Sequence, residues 1–365
     1  MSGKPHKIYG TDIEPQALEQ FYSALAQEYS VRGALMPDAH VGYSLPIGAV
    51  VATDGMILPS WVGYDIGCGM CAVPTNFART NVTSAAESIF SAIYRAIPTG
   101  FNHNRHESIW NYEHLPRTKA LEAIFRKSAL KQLGSLGSGN HFIEIGADEN
   151  NRIWIIIHSG SRNLGHSVAT HYMKLAAGGK AREGHFGFPT RSREGKDYIK
   201  DLAFCLEFAL ANRYEMIRRV VNEIQHYCHG EADWEHLINR NHNHAEEKNG
   251  LWLHRKGATH AEKGMLGVIP GNMRDGSFIV EGKGNKEALW SSSHGAGRVM
   301  GRKAAKRQIK LKQFANSMYG IVAKVDRHTL DEAPFAYKDI DAVMRLQKDL
   351  VKVLHRVRPI INIKG

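Results

Sequence analysis

The chain has 365 residues, enough for one large domain or two smaller ones at roughly 100–200 residues each. Hydrophobic residues make up 43% and charged residues 23%, which excludes a disordered chain, a collagen and a coiled coil, and the longest strongly apolar run, Ile153–Ile157, is far short of a membrane helix. Lys and Arg (47) exceed Asp and Glu (36) by 11, and a chain this basic attracts polyanions, nucleic acid foremost.

In chain order, the spacing of apolar residues predicts a helix over Ile13–Tyr29 and short strands at Val31–Met36, Ala49–Thr53 and Met70–Pro74. Helices follow at Ser84–Ile97 and Arg117–Gln132, then β-branched strands at His141–Ile145 and Ile153–Ile157. The longest helical pattern is Tyr198–Tyr227, with Leu202, Cys205, Leu206, Ala209 and Leu210 on its apolar face. A helix over Asp233–Lys248, a strand at Ser277–Val280, a basic helix over Ala296–Lys312, a helix over Ile340–Val357 and a strand at Ile360–Ile363 complete the reading. No Pro/Ser-rich linker divides the chain, so residues 1–365 are expected to form a single α+β catalytic domain. The polar start, Met1–Lys7, has no apolar core of a secretory signal, and a cytoplasmic protein without a membrane partner is expected.

Glycines gather in loops after strands, near a His, Cys or Asp, as in a site assembled from several strand ends. In Gly63-Tyr-Asp65-Ile-Gly-Cys68-Gly69, a carboxylate and a thiol three residues apart can face one point. That donor pair suits Mn²⁺, Fe²⁺ or Zn²⁺ better than Mg²⁺. With no export signal, the four cysteines (Cys68, Cys71, Cys205 and Cys228) read as free thiols or a metal ligand. Asn140-His141 enters a strand, and the period of two separates His141 from Glu144. His158 ends a buried strand, with Arg162 four residues on as a candidate oxyanion contact. In Asn241-His242-Asn243-His244 either histidine could be a ligand, but a helix there would admit only one. Finally, Ser293-His294-Gly295-Ala296-Gly297-Arg298 leads into basic residues. Arg298, Arg302, Lys306 and Lys310, spaced by four, would form one helical stripe, with a phosphate-binding helix N-terminus beside His294. Together these features point to metal-assisted phosphoryl or nucleotidyl transfer on a nucleic acid.

On these segments the chain resembles the RtcB family of GTP- and Mn²⁺-dependent RNA ligases. Further segments in family order carry the resemblance: Met36-Pro-Asp38-Ala-His40-Val-Gly42, His254-Arg-Lys-Gly-Ala258, Pro270-Gly-Asn272-Met273, Ala336-Tyr337-Lys-Asp-Ile340 and Lys364-Gly365. The resemblance implies a β-sandwich core with surrounding helices and a deep active-site cleft. It implies two Mn²⁺ ions bridged by Cys68, one completed by Asp65 and His141 and the other by His158 and His242, which selects His242 over His244. It implies that His294 becomes covalently guanylylated by GTP. Around the guanylate it places Asn140, His141, Glu144, His242, Asn243, Pro270, Asn272, Met273, Ser277, Gly295, Ala296, Gly297, Tyr337 and Lys364. It also implies that 2′,3′-cyclic phosphate or 3′-phosphate RNA ends are joined to 5′-hydroxyl ends, in tRNA splicing or RNA repair. The RNA would be tRNA halves or damaged ribosomal or transfer RNA, and archease or a release-factor-like protein would be the protein partner.

The chain departs from the family pattern at Asn272, where Ser is usual, and at Asn163 and His260, and it is shorter than common members. These departures fit a divergent bacterial paralogue. Two other readings compete: a metal-dependent RNA cyclic phosphodiesterase that does not ligate, and a non-catalytic protein that binds broken RNA ends. The second would call for a missing ligand, and Asp65, Cys68, His141, His158, His242 and His294 are all present.

Overall fold

The computed structural model describes residues 3–180 and 184–365. The chain begins with β1 (His6–Ile8), α1 (Pro15–Leu25), β2 (Ser30–His40) and β3 (Ile47–Thr53). A short strand β4 (Met56–Ile57) and helix α2 (Pro59–Val62) lead to β5 (Gly69–Pro74), followed by α3 (Arg79–Ser84), α4 (Ala86–Ala96) and α5 (Lys119–Gln132). Next come β6 (Phe142–Ala147), β7 (Ile153–Ser159), α6 (Arg162–Ala176), β8 (Phe188–Pro189) and α7 (Arg193–Gln225). Strands β9 (Ile238–Asn241), β10 (Asn243–Lys248), β11 (Leu251–Lys256), β12 (Ala258–His260), β13 (Leu266–Pro270), β14 (Ser277–Gly282) and β15 (Ser291–Ser293) follow. The chain closes with α8 (Arg302–Gln308), α9 (Leu311–Ser317), β16 (Val322–Ala323), α10 (Ile340–Leu346) and β17 (Val351–Lys364).

Two sheets organise these elements. One has the order β1-β2-β3-β11-β10. The larger runs β13-β14-β17-β6-β7-β5-β9, with β16 added beside β17, and curls until it is nearly closed. Because successive side chains on a strand point to opposite faces, β7 divides its residues cleanly. Ile153, Ile155 and Ile157 pack outward against Met216, Ile217, Val220 and Ile224 of α7. Trp154 and Ile156 pack inward with Met70, Phe142, Val268, Ile279 and Val357. The same alternation sends His158 of β7, Glu144 of β6, and Asn362 and Lys364 of β17 to the inward face. The polar residues of one face therefore meet at one end of the curled sheet.

Helix α7 has 33 residues and does more than cover the sheet. Arg213, fully buried, donates from Nη1 to the carbonyls of Gly67 (2.7 Å) and Ser159 (2.9 Å). Its Nε and Nη2 donate to Asn239 Oδ1 and Asn241 Oδ1, both at 2.7 Å. The neighbouring Asn212 accepts from the peptide N–H groups of Gly134 (2.7 Å) and Ser135 (3.2 Å) and donates to Gly160 O (3.0 Å). Two consecutive residues thus hold the loop before β5, the end of β7, strand β9 and the loop before β6.

The structure agrees with the expected elements up to residue 227 and adds α6, which the sequence reading left unassigned. Three later expectations are corrected. Residues 233–248 form β9 and β10 instead of a helix: β9 pairs with β5, and its Asn239 and Asn241 are polar because they bind Arg213. Residues 296–301 are irregular, with Arg298 bridged to Tyr337 and Val299 N–H donating to Ala336 O at 2.9 Å, so the helix starts only at Arg302. Gly297 takes φ +74, and a Cβ there would lie 2.2 Å from Asp38 O, which permits the tight turn only to glycine. The helix at residue 340 ends at Leu346, and residues from 351 pair with β14 as strand β17. Long-range pairing overrides local propensity in all three places.

Replacing Arg213 with Ala strands two carbonyls and two amide oxygens in the interior. Urea unfolding should show a loss of about 3 kcal/mol or more, whereas Arg218→Ala on the exposed side of the same helix should cost under about 1 kcal/mol.

Candidate functional site

The loop before β5 carries Asp65 and Cys68 to the end of the curled sheet. Asn243 secures this loop: its Nδ2 donates to Asp65 O (3.1 Å), while its Oδ1 accepts from Gly257 N–H (2.7 Å). Gly160 leaves the space that Asp65 occupies, since a Cβ there would lie 2.3 Å from Asp65 Oδ1. Cys68 Sγ is buried 3.4 Å from His141 Nε2 and 3.2 Å from His158 Nε2. His141 Nε2 is 3.0 Å from Asp65 Oδ2, and His158 Nε2 is 3.3 Å from His242 Nε2. Two groups able to hold a cation result, Asp65–Cys68–His141 and Cys68–His158–His242, and Cys68 belongs to both.

The surrounding backbone sets the state of these ligands. His141 Nδ1 faces the Leu136 carbonyl at 2.9 Å, and His158 Nδ1 faces the Asn140 carbonyl at 3.2 Å. Each contact places a ring proton on Nδ1 and turns Nε2 toward the sulfur. Burial, reinforced by the neighbouring imidazoles, holds His158 and His242 neutral by driving their pKa values well below the usual range. Burial and the Asp65 charge push the Cys68 thiol well above its usual range. Converging imidazole nitrogens beside a carboxylate and a thiol fit a divalent transition-metal cation.

Next to this cluster lies a cavity of about 700 Å³, within the range of small-molecule sites. Its wall includes Asn140, Phe142, Glu144, His158, Pro270, Asn272, Met273, His294, Gly295, Ala296, Gly297, Tyr337 and Lys364. His294 stands where cavity and cluster meet, its ring 4.9 Å from that of His242. Its Nδ1 is 2.6 Å from Asp38 Oδ2, which also accepts the His294 peptide N–H at 3.2 Å. Asp38 is fully buried, so its charge is directed at this ring. The contact is a close charge approach without an aligned ring hydrogen bond, and Nε2 is the other ring nitrogen. At the far end, burial raises Glu144 to about 8, and its Oε1 has no hydrogen-bond partner. Ser277 Oγ is likewise buried and unpartnered. Unsatisfied buried polar atoms are costly unless a ligand completes them.

Most of the residues singled out in the sequence come together here. Asp65, Cys68, His141, His158 and His242 form the ligand cluster, and eleven other named positions line the cavity. Ser277 lies behind the wall, and Asn243 serves the Asp65 loop. Asn272 borders the cavity, but its amide is engaged in its own turn: Oδ1 accepts from the N–H groups of Arg274 and Asp275 (both 3.0 Å), and Nδ2 donates to Asp275 Oδ2 (2.6 Å). Arg162 is turned away from the cavity, donating to Ser135 Oγ (3.3 Å) and Gly100 O (3.1 Å). The expected basic stripe is broken up. Arg298 and Arg302 are paired with Glu332, and Lys306 with Asp331, while Lys303, Arg307, Lys310 and Lys312 stay exposed. His244 belongs to a separate group with Glu246 and His260. There the two rings stack at 4.6 Å and 19°, so their in-plane lone pairs do not converge, and Arg255 Nη1 donates to His244 Nε2 at 3.0 Å. Asp38, Arg213 and Glu332 were not anticipated as site residues. Only Asp38 had a signal, its place two residues before a histidine in the Asp38-Ala-His40 segment.

The chain is similar to known proteins over most of its length. The family model described as "tRNA-splicing ligase RtcB" matches residues 23–121 and 112–365. The chain is 34% identical to "RNA-splicing ligase RtcB" of Escherichia coli K12, over 98% of this chain and 96% of that protein. It is 30% identical to "tRNA-splicing ligase RtcB" of Pyrobaculum aerophilum, over 99% and 95% of the two chains. It is also 30% identical to "RNA-splicing ligase RtcB2" of another Escherichia coli strain, over 97% and 93%. Among the described residues no helix is long and apolar enough to cross a membrane.

Two outcomes test the electrostatics. A protonated Cys68 must lose its proton to bind a metal, so titration with Mn²⁺ in buffers of different ionisation enthalpy should release about one proton at neutral pH. Affinity should weaken as pH falls, and Cys68→Ser should abolish the release. Glu144 holds its proton in the folded state up to about pH 8, whereas the unfolded chain releases it near the ordinary value of 4.5. Its contribution to stability is therefore full below that value and is lost as pH rises from 4.5 to 8. Glu144→Gln should remove this slope and gain on the order of 4 kcal/mol at pH 8 relative to pH 4.5, measured by urea unfolding.

Proposed function

The chain belongs to the RtcB family, and on that premise we propose that it is an RNA ligase joining a 3′-phosphate or 2′,3′-cyclic phosphate end to a 5′-hydroxyl end through a histidine–GMP intermediate. The observation that carries this reading is the Asp38–His294 pair, placed where the cavity meets the Cys68 cluster. Residues 1–365 act as one catalytic unit, because the site draws on positions from Asp38 to Lys364.

GTP enters with its base toward Glu144, Tyr337 and Lys364 and its phosphates toward His158 and His294. Asp65–Cys68–His141 and Cys68–His158–His242 would hold two Mn²⁺ ions, which would supply charge neutralisation to the phosphates. His294 Nε2 donates its lone pair to the α-phosphorus. A P–N bond forms, the P–O bond to the β-phosphate breaks, and pyrophosphate leaves. Asp38 lies against Nδ1 and balances the positive charge that develops on the ring. An RNA 3′-phosphate, set free by hydrolysis where the end is cyclic, then takes the GMP and regenerates neutral His294. The 5′-hydroxyl attacks this activated phosphorus, the phosphodiester forms, and GMP departs. The glycine-rich wall at Gly295 and Gly297 lets backbone approach the phosphates closely. The exposed Lys303, Arg307, Lys310 and Lys312 and the net charge of +11 supply attraction for an RNA backbone.

Incubation with [α-³²P]GTP and Mn²⁺ tests the assignment. Wild type should retain acid-labile, alkali-stable label, and His294→Ala none. Asp38→Asn, which keeps the shape but not the charge, should slow labelling by about a hundredfold or more. Absence of label on reduced, metal-loaded wild type would overturn the ligase reading.

A further inference from the structure

Of the buried carboxyls at the base end of the cavity, Glu144 is on the wall, and Glu332 and Asp331 stand behind it. Glu332 is 3% exposed, yet it carries four short contacts. Its Oε1 accepts from Arg298 Nη1 (3.0 Å) and Arg302 Nη1 (2.7 Å). Its Oε2 accepts from Tyr337 Oη (2.6 Å) and Lys364 Nζ (2.9 Å). All four donors line the cavity, and they come from three separate stretches of chain: the segment running into α8, the turn before α10, and the end of β17. Glu332 is the polar partner common to all of them.

We propose that Glu332 is the positioning residue of this cavity and sets its base preference by fixing Lys364 and Tyr337 opposite Glu144. The inference rests on the reading of the cavity as a guanine-nucleotide site. Its chemical basis is direct. A 6-oxopurine offers an acceptor at O6 and donors at N1 and the 2-amino group, whereas adenine offers a donor at the 6-position. An ammonium held in place favours the first and repels the second. Lys364 also lies over the Phe142 ring at 5.0 Å, so the ring and Glu332 together confine it. Without the Glu332 charge, Lys364 is free to turn toward the Glu144 carboxyl. The wall would then lose both its fixed donor and its open acceptor. Burial alone would raise the Glu332 pKa, but Lys364, Arg302 and Tyr337 outweigh it and hold the carboxyl at about 2, so the anchor stays charged at every pH of interest.

Equilibrium dialysis of the full chain with labelled GMP and labelled AMP reads this without depending on turnover. Wild type should prefer GMP. Glu332→Gln should lose about tenfold to a hundredfold of that preference, the scale of one charge-assisted hydrogen bond. Glu332→Asp keeps the charge but not the reach, and should fall between the two. In a Lys364→Met background, Glu332→Gln should change the preference little further, because both variants act through the same ammonium. A purely structural Glu332 would weaken GMP and AMP equally and leave the ratio intact. An unchanged ratio in Glu332→Gln, or in Glu332→Asp should the Gln variant not fold, overturns the proposal, as do additive effects in the double variant. Wild type that takes label from GTP and prefers GMP, with a ratio indifferent to Glu332, sinks this inference alone. Wild type that neither takes label nor prefers GMP sinks the ligase reading and this inference with it.

Discussion

The buried guanidinium of Arg213 is the constraint on which the site depends. Among the described residues it has no carboxylate in direct contact. It is solvated by two carbonyls and two side-chain amides from the loop before β5, the end of β7 and strand β9. Burial lowers it to about 10, with Cys71, Cys68 and Asp65 near enough to oppose the shift. A charge this deep would be prohibitive without all of these acceptors. Segments bearing Asp65, Cys68, His158 and His242 therefore cannot drift apart without exposing the guanidinium to an apolar interior. Asn212 extends the same hold to the loop preceding His141. The ligands sit on loops, but the geometry belongs to α7.

This explains how much could be read from the chain alone. Strands β5, β6 and β7 are short, β-branched and bounded by glycine, and their ends carry Cys68, His141 and His158, so both the elements and the ligands were legible. Strand β9 was not. Ile238-Asn-Arg-Asn241 has little strand propensity, and its asparagines make sense only once Arg213, distant in sequence, is placed beside them. The segment around Arg298 misled in a similar way. Its period of four suggested a helix, but those cations answer Asp331 and Glu332. Tertiary ion pairs leave no periodic trace, and so Glu332 and Asp38 escaped a reading based on spacing.

At both ends of the site burial favours the neutral form of each group, and only a ring of cations overrides it. At the Cys68 cluster, desolvation strips protons from the imidazoles and keeps the thiol protonated, which leaves the cluster low in charge. At the Glu144 end it keeps Glu144 neutral, while the ring of cations keeps Glu332 charged. Dry surroundings that would penalise stability elsewhere here define which atoms accept and which donate.

The curled sheet also fixes a length. Lys364 pairs with Phe142, Phe142 with His158, and His158 with Met70, so the four stand in one row across β17, β6, β7 and β5. Adjacent strands are about 4.8 Å apart, which puts the backbones of Lys364 and His158 roughly 10 Å from one another. Ladder hydrogen bonds hold that interval regardless of how the loops vary. The sheet is in effect a ruler of two strand pitches, set between an ammonium and an imidazole on the cavity wall.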